Sequence, residues 1–227
     1  MGDRDYFYVD VWALMAGRTK PAQPMMLSTT GYKQVRVTVE QHLQDSKINA
    51  IFAGNPYHMI QSAQAAMVAL DFDPARQPVM NVSLSTLWVD DFHLPTEDVP
   101  GYRALVAGMI SRYGSRQTPF SALRSAASDQ TETVTRMFRV NLDEMVRRTA
   151  VLALRKQQDR AGLLVVTESP LPESLMVGHS EKPLLRPGDL VRLYYKVPLV
   201  DRRPYVHIPS DALYLDSYHP CPYYDRD

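Results

Sequence analysis

The stretch DQTETVTRMFRVNLDEMVRRTAVLALRKQQDR, residues 129–160, carries the strongest helical pattern in the chain, and the fold class turns on it. Asp129 suits an N-cap, with Glu132 three residues on as its capping-box partner. Val134, Met137, Phe138, Leu142, Met145, Thr149, Leu152 and Ala153 recur at steps of three and four, which marks one face of a 3.6-residue period. The other face is charged. Glu132 precedes Arg136, Asp143 precedes Arg147 and Glu144 precedes Arg148, each by one helical turn, and each such pair adds about 0.2–0.5 kcal/mol.

Gly162 is the first stop signal after this run, and Asn141 interrupts the stripe where a bend would fall. Unbroken, the helix would be about 45 Å long. A compact domain of this chain length has a radius of gyration of about 17 Å, so the helix would cross it from side to side. Its Met, Phe and Leu stripe reads as core. Three of its five outer arginines have an acid one turn away, which reads as a solvated, self-neutralised face and not a nucleic-acid surface.

Working outward, Tyr6 to Leu14 alternates as a strand with one apolar face. Gly17 to Ser28 holds Pro21 and Pro24 and reads as an extended arm. Val35, Val37 and Val39 alternate with polar residues, which predicts a half-buried strand. Ile48 to Ala53 predicts another, and Asn55-Pro56 opens a helix buried through Met59, Ile60, Ala63, Met67 and Leu70. Met80 to Trp88 alternates as a strand, and Tyr102 to Tyr113 predicts a short helix. Thr118-Pro119 opens another, reaching about Ala127. After Gly162, strands are predicted over Leu163 to Thr167, Leu190 to Val197, Tyr205 to Ile208 and Ala212 to Leu215. Ser169 to Pro187 reads as a second proline-rich arm. The tail Tyr218 to Asp227 holds Pro220, Cys221 and Pro222 among three tyrosines, too aromatic to stay free.

The order is strands and a helix, then helices, then strands. It predicts an α+β fold with a mainly antiparallel or mixed sheet, one long central helix, several shorter helices and extended proline-rich arms. Residues 1–162 would form the main part, and 163–227 a β-rich part of the same domain with a docking tail.

Composition bounds the function. Lys plus Arg equals Asp plus Glu, 25 each, which argues against a bulk electrostatic grip on nucleic acid or an anionic membrane. The single cysteine, Cys221, permits no intrachain disulfide and fits a reducing compartment. No apolar run approaches a membrane span, and the first residues lack a signal-peptide pattern. The chain reads as cytoplasmic, assembled inside the cell, with the virion as a further location.

Few residues suggest chemistry. None of the six histidines forms a zinc-spaced pair, and no glycine loop of a nucleotide site occurs. Asp90, Asp91 and His93 are the nearest approach to a metal cluster and read as loop solvation. Cys221 lacks a local cation, and Ser180 lacks the second glycine of a nucleophile elbow. No cofactor and no metal are expected.

The sequence therefore predicts a structural or assembly subunit, more readily than an enzyme. It would contact copies of itself or neighbouring subunits, and a bacteriophage tail, neck or capsid component is the concrete form. Its contact residues would be Met25, Met26 and Leu27 on the first arm and Tyr218, Tyr223 and Tyr224 in the tail. The alternative is a small soluble enzyme whose site assembles only in the fold, around Asp90, Asp91, His93, His58 and Arg103.

Overall fold

The computed structural model describes residues 5–73, 77–81, 84–85, 101, 104–106, 108–109, 120–175, 185–200, 203–204 and 213–223. The chain opens with β1 (Tyr6–Met15), whose odd-numbered residues from Phe7 to Ala13 are buried on one face. A hairpin of β2 (Thr19–Lys20) and β3 (Gln23–Leu27) follows, then α1 (Thr29–His42). Next come β4 (Ala50–Ala53), α2 (Tyr57–Ala69) and β5 (Val79–Met80). Two helices, α3 (Phe120–Ala126) and α4 (Ser128–Arg155), lead into β6 (Arg160–Thr167). After a 3₁₀ turn at Pro172–Leu175, the chain ends in β7 (Leu190–Val200), β8 (Arg203–Pro204) and β9 (Leu213–His219).

The main sheet runs β5-β4-β6-β1-β7-β8, with β9 also on β7. Strands β5, β4, β6 and β1 are mutually parallel, and β7 joins β1 antiparallel through pairs such as Val11 with Leu193. The fold is α+β with a mixed sheet that is parallel from β5 to β1. β6 crosses residue 162, so strands from both sides of that position share one sheet.

Two cores sandwich the sheet. Val9, Val11 and Ala13 of β1 pack with Val134, Phe138, Leu142 and Met145 of α4. Trp12 and Leu14 of the same strand pack on the other side with Val35 and Val39 of α1 and Met59 and Ala63 of α2. The sheet is thus the middle layer, and α4 lies on one of its faces. α4 ends at Arg155, before the Gln158 and Asp159 of the expected run. Its surface pairs are Arg139 with Asp143, and Glu144 with both Arg147 and Arg148. Asn141 turns its amide back to the Met137 carbonyl at 2.9 Å.

One expected strand is a helix. Residues 35–39 lie in α1, where Gly31, Gln34, Val35, Thr38 and Val39 are buried at helical spacing. Ser28 caps it by accepting from the Gly31 N–H at 2.9 Å. The two-residue alternation of valines was misleading because Gln34 and Thr38 are buried too, Thr38 donating to the Gly188 carbonyl. With α1 a helix, the order becomes β-α-β-α-β, and this is why the sheet is parallel here.

Gly31 also seats the hairpin. A Cβ on it would lie 2.1 Å from the Arg18 carbonyl oxygen, so only glycine lets the chain leaving β1 cross α1 this closely. The segment Gly17–Ser28 is thereby folded back as β2–β3 against α2. The second proline-rich segment begins as a packed turn, with Leu171 and Leu175 buried. Its residues 176–184 lie outside the described residues, as do most of Met80 to Trp88 and Tyr102 to Tyr113, and all of Tyr205 to Ile208.

Candidate functional site

Open sheets with parallel strands bind ligands beyond the carboxyl ends of those strands, near the point where connections leave to opposite faces. Here β1 and β4 feed α1 and α2 on one face, and the return into β6 carries α4 on the other. The ends of β1, β4 and β6 therefore define the candidate site. Backbone contacts draw them together: Ala16 N–H donates to the Thr167 carbonyl at 2.9 Å, and Gly54 N–H to Val166 at 3.3 Å.

β1 ends in Met15, Ala16 and Gly17, all buried, followed by the exposed Arg18. The Gly17 N–H donates to Ser62 Oγ at 3.1 Å, and that hydroxyl donates to the His58 carbonyl at 2.7 Å. The Arg18 N–H donates to Gln34 Oε1, so the buried glutamine of α1 fixes where Arg18 starts. β4 ends directly in Gly54-Asn55-Pro56 and α2. Pro56 occupies the N-cap with no side-chain cap bond, and the Met59 and Ile60 N–H groups bond to its carbonyl, so the positive end of the α2 dipole lies directly after β4.

β6 ends in Thr167, whose hydroxyl donates to the Leu84 carbonyl at 2.9 Å, and then the half-buried Glu168. Ser85, buried, donates its hydroxyl to Glu168 Oε1 at 2.9 Å. The rim of these strand ends thus brings together Arg18 after β1, the N-terminus of α2 after β4 and Glu168 after β6. That combination suits an anionic group held beside a proton acceptor.

A second acidic layer lies behind the rim. Glu173, 3% exposed, accepts from Ser169 Oγ at 2.5 Å and from the Leu185 N–H at 2.6 Å, both at Oε1. Burial pushes its carboxyl up to about 7; hydrogen bonds from Ser169, the Leu185 N–H and its own backbone N–H oppose that rise, and the neighbouring Asp189 adds to it. Asp189 accepts from the Arg186 and Cys221 N–H groups and from the Tyr218 hydroxyl. Burial first, then Asp189, raises the Tyr218 hydroxyl above its ordinary range, and burial raises the Cys221 thiol.

Of the residues singled out from the sequence, His58 is buried on α2 beside this rim. Asp90, Asp91, His93 and Arg103 lie outside the described residues, as does Tyr224. Met25 is exposed on β3, Met26 is half-buried, and Leu27 is buried with its N–H on Gln61 Oε1. Tyr218 is tied to Asp189 inside the fold, and the Tyr223 ring lies under Lys33 Nζ at 5.8 Å. No group of three metal-ligating side chains occurs among the described residues. Arg18, Ser85, Glu168 and Glu173 were missed. Glu168 carried a signal, a charged residue directly after an apolar strand, which becomes meaningful only once that strand is known to be parallel.

No family model matches the chain, and neither does any curated protein. Solved structures do match. A phosphoglycerate mutase from Bacillus anthracis str. Sterne is 13% identical, with 91% of this chain and 94% of that one covered and a TM-score of 0.53. A native mycobacterial glucosyl-3-phosphoglycerate phosphatase is 13% identical, covering 94% and 99%, with a TM-score of 0.53. Mycobacterial hydrolase 1 is also 13% identical over 94% and 99%, with a TM-score of 0.54. At this identity the likeness is one of fold. It overturns the expectation of a structural, bacteriophage or other virion subunit, because the architecture is that of phosphoglycerate mutase and phosphatase enzymes. No helix among the described residues is long and apolar enough to cross a membrane.

Proposed function

We propose that this chain is a small enzyme that hydrolyses a phosphate monoester at the carboxyl ends of β1, β4 and β6. The observation that carries the reading is the position of Glu168 and Arg18 at the ends of adjacent parallel strands, in a fold it shares with solved phosphatases. Arg18 and the N-terminus of α2 would hold the phosphate. Glu168, oriented by Ser85, would take a proton from a water molecule as its oxygen attacks phosphorus. The P–O bond to the organic group then breaks, and the leaving alkoxide takes up the proton, giving an alcohol and inorganic phosphate. The related phosphatase is named for a phosphorylated sugar acid, which supports a small organic phosphate as substrate class.

A second reading, phosphate-ester binding without turnover, is favoured by one observation. β1 ends in Met15, Ala16 and Gly17, which supply no nucleophile and no proton carrier at the sheet's central strand. Assaying p-nitrophenyl phosphate separates the two. Turnover lost in Glu168→Gln supports hydrolysis. Saturable phosphate binding without turnover supports the second reading, and neither result would dismiss the site.

A further inference from the structure

We infer that Glu173 is a positioning residue that ties Ser169 to Leu185, and so fixes the end of β6 that carries Glu168; ionisation of the buried carboxyl destabilises this closed arrangement and favours its opening. The effect on catalysis rests on the function proposed above, whereas the tie does not.

The geometry makes the case. Ser169 follows Glu168 in the chain and is buried, so whatever holds Ser169 limits where Glu168 can stand. The Ser169 hydroxyl is held at 2.5 Å by Glu173 Oε1 and lies 3.0 Å from the Leu185 carbonyl oxygen. The same Oε1 receives the Leu185 N–H at 2.6 Å. One carboxyl oxygen therefore joins the start of the segment after β6 to the residue that leads back toward β7. The other oxygen, Oε2, is buried and has no hydrogen-bond partner among the described residues. Leu171, Leu175 and Leu185, all buried, flank these groups in the chain.

An ionised carboxylate here would put charge on a buried group whose Oε2 has no hydrogen-bond partner among the described residues. The Ser169 and Leu185 donors favour the charged form, and burial outweighs them, so the neutral acid is favoured in the closed arrangement. Asp189 at the start of β7 repels the ionised form, Tyr218 on β9 is bonded to Asp189, and Arg186 lies in the turn before β7 as the nearby described cation. The rise of the carboxyl to about 7 places the change at neutral pH. The sign follows: with its bound proton favoured in the closed form, the tie is strongest below the ordinary carboxylate range and weakens as pH rises through 7.

The test is hydrogen exchange of the Leu185 amide from pH 6 to pH 8.5, corrected for intrinsic exchange, in the wild type and in Glu173→Gln. The amide side chain of the variant keeps a carbonyl acceptor and has no charge to gain. In the wild type the opening equilibrium rises about tenfold over that range, and in Glu173→Gln it stays flat. Equal pH dependence in both proteins overturns the inference. Should the variant not fold, a carbon-13 carboxyl titration of the wild type decides: a midpoint near 7 supports the inference, and one in the ordinary carboxylate range overturns it. Hydrolysis of p-nitrophenyl phosphate, measured alongside, separates the two claims. Retained activity at pH 8.5 in Glu173→Gln, lost in the wild type, supports the positioning role. Exchange that behaves as inferred with no turnover at any pH leaves the tie standing and removes the hydrolytic reading.

Discussion

The Ser85 hydroxyl donates to Glu168 Oε1 at 2.9 Å, linking the segment after β5 to the residue that ends β6. Residues 83 positions apart in the chain thus share one hydrogen bond. A carboxylate held this way has its orientation at the end of β6 set by the protein.

Replacing Glu168 by Gln should lower kcat for p-nitrophenyl phosphate by about 10²–10⁴-fold, the usual contribution of a general base. Thermal stability should change little, because Glu168 is only half-buried. Ser85→Ala should have a smaller effect, about tenfold, as expected for one hydrogen bond to a charged group. Steady-state kinetics on both variants checks the order.

Arg18→Ala should raise KM about tenfold or more while leaving the melting temperature nearly unchanged. Its guanidinium is exposed, and its backbone contacts to Gln34 and Ser28 remain after truncation. Raising the salt concentration should weaken wild-type binding more than that of the variant.

Phe138→Ala should destabilise the fold by about 3–5 kcal/mol, since Phe138 is fully buried where α4 meets the sheet. Chemical denaturation measures this directly. Truncating the exposed Val140 on the same helix should cost about 0.5 kcal/mol or less.

Stability should fall as pH rises from about 4.5 through 7, by up to about 3 kcal/mol from Glu173 alone. Its folded pKa lies above its unfolded value, so the folded state binds the extra proton in that window, and alkali removes it. Denaturation midpoints of wild type and Glu173→Gln across this range should converge at acid pH and separate at neutral pH.

The sequence made some of this legible for physical reasons. The stripe through Val134, Phe138 and Leu142 marked a buried helix face because nothing else in that run could satisfy a 3.6-residue period. The alternation in β7 marked a strand with one dry face, and Val191, Leu193, Tyr195 and Val197 are buried on it. Val35 to Val39 misled because a buried Gln34 and Thr38 hide a helical face behind a two-residue rhythm. That misreading hid the β1-α1-β4 unit, and with it the parallel relation of β1 to the strands whose ends define the site. Arg18 and Glu168 lie 150 positions apart, and nothing local to either one announces the other. Glu173 was invisible for a different reason: a glutamate after two prolines reads as a solvated loop charge until its burial is known.

The most direct test of the phosphate site is an amide chemical-shift titration of the full chain with inorganic phosphate. The account predicts saturable shifts concentrated at Gly17, Arg18, Tyr57, His58 and Glu168, around the ends of β1, β4 and β6. It would be contradicted by shifts confined to the opposite end of the sheet, around Lys47, Arg160 and Arg192, where a cavity of about 310 Å³ lies, or by no saturable shift at all.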